Sequence, residues 1–169
     1  MLPERRYQHA FEPGCSIGVL TALLTQRCLQ VTATDVAAAA LDSAHLRLRE
    51  AGERDRVTLL QGSLDEPWPA GPFDLLVLSE VGYYLTPEAL RDVLDRESPG
   101  LAAGATVLAA HWRHPVEDYL MSGDRVNEVV AATAGFHSIG SYRDADVAID
   151  VFDTANGESV AARTGVPID

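Results

Sequence analysis

Small residues flanked by carboxylates mark the first place in this chain where chemistry could be done. The segment FEPGCSIG puts Glu12, Gly14 and Gly18 at a strand-to-helix turn, with Cys15 and Ser16 between them. Missing side chains let a ligand approach the backbone there, and a helix N-terminus offers free N–H groups, so the turn suits a nucleotide-type ligand. Asp35 closes the next strand 17 residues beyond Gly18, near the spacing at which a carboxylate accepts hydrogen bonds from ribose hydroxyls. A tight turn with nothing bound is the plainer alternative, and Asp35 weighs against it. Cys15 lies beside the helix start, but the sequence offers it no base partner, so it is not read as a nucleophile.

A second group of reactive types gathers downstream. Glu80 ends one apolar strand and His111 ends another, and ligands in open α/β sheets bind outside the carboxyl ends of the strands. Either side chain could take a proton from a reacting amine. The competing reading makes Glu80 a turn cap and His111 a structural hydrogen-bonding group. HWRHP adds Trp112, Arg113 and His114, a mix able to stack on a sugar face and bond its hydroxyls. Against this, Trp112 could fill a gap under the loop and Arg113 could pair with a surface acid. Tyr83 and Tyr84 follow the Glu80 strand, and one of them is expected to face the pocket. His111 and His114 lack an identifiable third ligand, so no metal site is expected.

The elements that must position these residues alternate between strand and helix lengths. Strands are expected at 7–12, 30–35, 57–61, 73–79 and 105–111, with helices over 17–27, from the alanine-rich segment to Gly52, and after Thr86 and Pro87. Ser16 is available to cap the first helix, whose Leu20, Leu23 and Leu24 share a face. The stretch GSLDEPWPAGP is loop chemistry. A helix started by Ser122 and Asp124 presents Val126, Val129, Val130 and Thr133 inward. Strands 136–143 and 147–153 are separated by three residues, too few for a parallel crossover, so they pair antiparallel. The fold class is α/β, a mostly parallel seven-stranded sheet closed by that hairpin, in one domain over 1–153 with a flexible tail over 154–169.

Composition narrows the function. With 169 residues, 13 Lys/Arg, 25 Asp/Glu and a net charge of −12, the chain lacks the clustered cations that nucleic acid or anionic membranes require. It has 47% hydrophobic residues, enough for a core without staples. No apolar run is long enough to span a bilayer, and no secretory signal is visible. Cys15 and Cys28, without ligand or disulfide spacing, suit a cytoplasmic protein.

Glu12-x-Gly14-x-Ser16-x-Gly18 resembles motif I of class I S-adenosylmethionine-dependent methyltransferases, with Ser16 in place of the middle glycine. More narrowly, EPGCSIGVLT, FDLLVLSEVGYYL and HWRHP followed by SGD resemble the nodulation protein S type, whose named member N-methylates an amino sugar. The resemblance covers Tyr7 to Asp153. It implies a three-layer Rossmann-like fold and S-adenosylmethionine as cofactor, leaving S-adenosylhomocysteine as product. Glu12 to Gly18 would hold the methionine part, Asp35 the ribose, and Val36, Gly62, Ser63 and Leu64 the adenine, with Ser79 also binding the cofactor. On their own chemistry and strand-end positions His111 and Glu80 are the catalytic candidates, and Tyr83, Tyr84, Trp112, Arg113 and His114 the candidates to meet a small-molecule acceptor. Gly82 stands where that group has a bulky apolar residue, Ser63 where many relatives have Asp, and Asn127 where a His commonly follows SGD. The family's N-terminal cover helices have no counterpart ahead of Tyr7. An active methyltransferase for an amine or hydroxyl is the first expectation, and a non-catalytic or truncated cofactor-binding protein the second. A nicotinamide-dependent oxidoreductase is disfavoured by the closing hairpin.

Overall fold

Leu75, Leu76, Val77 and Leu78 are all buried, and alternate members of this run pack into different clusters on the two sides of one sheet. This is the fourth strand of a computed structural model that describes residues 2–155. The strands are β1 (Tyr7–Pro13), β2 (Cys28–Asp35), β3 (Val57–Gln61), β4 (Leu75–Ser79), β5 (Thr106–Trp112), β6 (His137–Arg143) and β7 (Val147–Asp153). They lie in the order β3-β2-β1-β4-β5-β7-β6. The first five pair parallel, and β7 runs antiparallel to both β5 and β6. The expected seven strands and their closing hairpin are therefore present.

Helices cover both faces. α1 (Val19–Leu24) and α2 (Ala38–Glu50) lie on one, where Leu24 joins Tyr7, Ala10, Val31, Leu75 and Val77, and Leu41 joins Cys15 and Ala33. α3 (Pro87–Glu97) and α4 (Gly123–Ala131) lie on the other, where Leu90, Val93, Val126 and Val130 meet Phe11, Leu76 and Leu78. Right-handed crossovers that move outward in opposite directions from the β1–β4 pair put the helices on opposite faces. Thr86 and Ser122 cap α3 and α4 through their hydroxyls, which accept from Ala89 N–H and Arg125 N–H at 3.2 Å each. Residues 62–74 cross from β3 to β4 without a helix; Trp68 and Phe73 cover Phe11 there, with ring centroids 5.2 and 5.1 Å away.

Several boundaries differ from expectation. α1 is shorter than 17–27 and starts after Gly18, which sits at φ 75° and leaves Ser16 without a capping bond. A Cβ at Gly18 would lie 2.9 Å from Ala44 Cβ, so the close approach of α1 to α2 sets that start. Thr21 and Leu24 consequently turn inward and Leu23 is exposed. β4 begins at Leu75 rather than Phe73; just ahead of it the Asp74 carboxylate accepts from the Gln8 and His9 N–H groups at 2.7 and 2.8 Å, beside the backbone bond from Asp74 N–H to the His9 carbonyl at 3.1 Å. Thr154 still donates its N–H to the Ala105 carbonyl at 3.0 Å, and 156–169 of the expected tail lie outside the described residues. Among the described residues no helix is long and apolar enough to cross a membrane, and no group of three His, Cys, Asp or Glu could hold a metal ion.

Candidate active site

Two clefts adjoin at the carboxyl ends of β1, β2 and β4, sharing Gly14 and Ser16. One, about 230 Å³, is bordered by Glu12, Cys15, Ile17, Ser79 and Glu80. The other, about 270 Å³, is bordered by Asp35, Val36, Gly62, Ser63, Leu64 and Tyr84. The ionisable side chains lining the pair include Glu12, Asp35 and Glu80, with no cationic side chain among them. Gly14, at φ 74°, allows Val81 to close in: a Cβ there would sit 2.7 Å from Val81 Cγ2.

Four amides of the turn are already engaged within the protein. Gly14 and Cys15 donate to the Thr34 carbonyl at 2.8 and 2.9 Å, Gly18 donates to the Cys15 carbonyl at 3.0 Å, and Ser16 donates to Asp35 Oδ2 at 2.8 Å. Asp35 Oδ1 also accepts from the Ala37 N–H at 2.9 Å. An ionised carboxylate has about four acceptor positions, so this one keeps capacity for a ligand. Glu12 is almost fully buried and accepts from the Thr21 hydroxyl at 2.7 Å. Burial pushes its carboxyl up to about 7, against the smaller opposing effect of Thr21. Burial likewise raises the Cys15 thiol to about 12, with Glu12 and Asp35 adding to the rise, which agrees with its having no nucleophilic role. Gly18 borders neither cleft. Val36 is exposed beside the second cleft, its carbonyl held by the Gln61 side chain at 3.0 Å. The Ser63 N–H donates to Glu66 Oε2 at 3.0 Å and its hydroxyl to Asp65.

Glu80 has φ 55°, a left-handed conformation uncommon for a residue with a side chain. Its carboxylate accepts from the Tyr83 hydroxyl at 2.5 Å and from the Trp112 N–H at 2.7 Å. Tyr83 is buried and Tyr84 exposed at the second cleft, so one of the pair does face a pocket. Burial and the Glu80 carboxylate raise the Tyr83 phenol strongly. Sequence reasoning missed Tyr119, whose ring stacks on Tyr83 at 3.6 Å and meets Tyr84 edge-on at 5.4 Å.

His111 is fully buried, with Nδ1 2.8 Å from Asn127 Oδ1 and Nε2 accepting the Gly82 N–H at 3.3 Å. Burial lowers its pKa to about 4. These surroundings match the structural hydrogen-bonding alternative rather than a proton acceptor open to a bound molecule. Arg113 also takes its structural alternative. Its Nε contacts both Asp124 oxygens at 3.1 Å, and a terminal nitrogen reaches the Asp144 carbonyl. His114 pairs with Asp146 at 2.7 Å on the surface, and the half-exposed Trp112 ring rests 4.9 Å from it.

The sheet order, with clefts at the strand carboxyl ends, defines a Rossmann-like domain. Residues 11–107 match a family described as Methyltransferase domain, and the chain belongs to that family. A protein of Pseudomonas syringae, provisionally assigned as a methyltransferase, is 31% identical over 90% of each chain, with a TM-score of 0.75. The N-methyltransferase NodS from Bradyrhizobium japonicum WM9 shares the fold at 20% identity, covering 89% of this chain and 88% of its own, with a TM-score of 0.77. NcsB1, an O-methyltransferase from neocarzinostatin biosynthesis, is 25% identical over 88% of this chain and 49% of its own, with a TM-score of 0.66. Among curated proteins the chain has no match.

Proposed function

We propose that this chain transfers a methyl group from S-adenosylmethionine to an amine or hydroxyl of a small molecule, with an amino sugar or similar saccharide as acceptor. One observation carries the reading: Glu12, Asp35 and Glu80 line two joined clefts that contain no cationic side chain. Such a lining suits a ligand bearing a sulfonium and an α-ammonium group. NodS and NcsB1 have each been crystallised with S-adenosylhomocysteine, and NcsB1 also with S-adenosylmethionine.

The residues fit this cofactor. Asp35 holds the ribose hydroxyls with its unused acceptor positions, while Val36, Leu64 and the Gly62–Ser63 backbone border the adenine. Glu12, Ser79 and the segment from Gly14 to Ser16 border the methionine part. The bound cofactor supplies an electrophilic methyl carbon, so the protein needs no covalent nucleophile and acts chiefly by alignment and exclusion of water. Glu80, held by two donors, accepts a hydrogen bond from the acceptor and can take its proton. Tyr84 and the Trp112 ring offer aromatic faces to a sugar. The free, buried Cys15 and Cys28 support a reducing, cytoplasmic location.

Calorimetry with S-adenosylhomocysteine tests the cofactor assignment, and absence of uptake by the full chain refutes it. Transfer of labelled methyl from S-adenosylmethionine to a panel of amino sugars and aryl alcohols then tests the acceptor. Binding without turnover on either class would favour the non-catalytic alternative.

A further inference from the structure

Four polar side chains run in a line from the rim of the cleft to the closing hairpin. The Gly82 N–H donates to His111 Nε2, the other ring nitrogen faces Asn127 Oδ1 at 2.8 Å, and Asn127 Nδ2 donates to Asp150 Oδ2 at 2.8 Å. Arg143 holds both Asp150 oxygens at 2.9 and 2.7 Å. This line has one consistent polarity. Arg143 and Asp150 fix the carboxylate as an acceptor, which orients the Asn127 amide with its nitrogen toward Asp150 and its oxygen toward the ring. That oxygen requires a proton on Nδ1, and a neutral ring protonated there presents a lone pair at Nε2 to Gly82. Moving the proton to Nε2 would set donor against donor at Gly82 and acceptor against acceptor at Asn127.

The short turn Gly82–Tyr84 sits on the free end of this line. It carries Tyr83, which bonds Glu80, and Tyr84, which borders the second cleft. Its seat is narrow: a Cβ at Gly82 would lie 2.3 Å from Val126 Cγ1 and 3.3 Å from His111 Nε2.

We infer that His111, as its neutral Nδ1–H form set by Asn127, is a positioning residue that docks the Gly82–Tyr84 turn and so sets where Tyr84 and the Tyr83–Glu80 pair stand at the cleft. The inference rests on the proposed methyl transfer for what the turn serves, and on the hydrogen bonds alone for how it is held.

Nitrogen-15 spectra of the full chain labelled at histidine read the tautomer directly near neutral pH. A proton on Nδ1 is expected for His111, and a proton on Nε2 overturns the inference. In His111→Phe, which keeps a ring but removes the acceptor, the Gly82 amide should exchange about tenfold faster or more. S-adenosylhomocysteine affinity should fall about threefold or more, since the docking bond is worth on the order of one hydrogen bond. Unchanged exchange at Gly82 overturns the inference. Asn127→Leu keeps the test alive if the ring variant does not fold: loss of the single tautomer is expected, and its persistence counts against the role of Asn127. A wild-type chain that fails to bind S-adenosylhomocysteine defeats the methyl-transfer reading while the tautomer and Gly82 exchange still judge the docking line.

Discussion

The Ser16 N–H reaches the Asp35 carboxylate at 2.8 Å and ties the turn after β1 to the end of β2. Ser16 has φ 50°, a conformation that costs a side-chain-bearing residue roughly 1–2 kcal/mol. A hydrogen bond to a charged acceptor offsets a cost of this size. The serine that replaces a glycine in motif I is thus held by the same carboxylate proposed to receive the ribose.

Asp35→Ala should weaken S-adenosylhomocysteine binding by roughly 1.5–3 kcal/mol, the worth of hydrogen bonds to a charged group. Calorimetry measures it. Affinity equal to wild type would remove Asp35 from the ribose.

Glu12 should couple ligand uptake to proton release. Its carboxyl is raised to about 7, so the empty protein holds a proton that a cationic ligand expels. Affinity for S-adenosylhomocysteine, which keeps the α-ammonium, should fall as pH drops below about 7 and level off above it. Titrations in buffers of different ionisation enthalpy count the protons released. Glu12→Gln should flatten the profile, and a wild-type profile already flat across this range would refute the coupling.

Glu12 and His111 should act on stability with opposite signs. A folded pKa above the ordinary 4.5 means that the folded state holds the Glu12 proton more tightly, so stability falls as pH rises from 4.5 to about 7. His111, lowered from 6.5 to about 4, contributes stability that is complete above 6.5 and is lost as pH falls toward 4. Each shift corresponds to about 3 kcal/mol at full extent. Denaturant melts of Glu12→Gln should show stability rising more steeply with pH between the two histidine values than in wild type. Parallel curves would count against the raised carboxyl.

Gly123→Ala should destabilise the fold by roughly 2–4 kcal/mol through overpacking. The added methyl would stand 2.2 Å from the Trp112 carbonyl oxygen and 2.9 Å from His111 Cβ, and the first of these is backbone that cannot swing aside. A melting temperature close to wild type would show that α4 can move off β5 cheaply.

Local signals made much of this fold legible. The Thr86–Pro87 start, the Ser122 cap and the three-residue hairpin turn are each written in adjacent residues, and β3 and β7 have their expected bounds. The start of α1 was not legible, because Gly18 is placed by Ala44 on another helix. The site divides similarly. Glu12, Gly14, Asp35 and Glu80 come together because strand ends in a parallel sheet share one rim. The surroundings of His111 depend on partners 16 and 29 residues away, and no spacing announces them. Tyr119 lies in an irregular loop 35 residues beyond Tyr84, so no spacing in the sequence ties it to that pair, and only the fold brings the rings together.

Val126 occupies the volume that a side chain at position 82 would need, which makes the two positions a single packing decision. Enlarging Gly82 to Ala should destabilise the site by itself, yet be partly rescued when Val126 is cut to Ala, and thermal melts of the single and paired variants would expose that compensation. A substitution history at either position therefore makes physical sense only when its counterpart is considered with it.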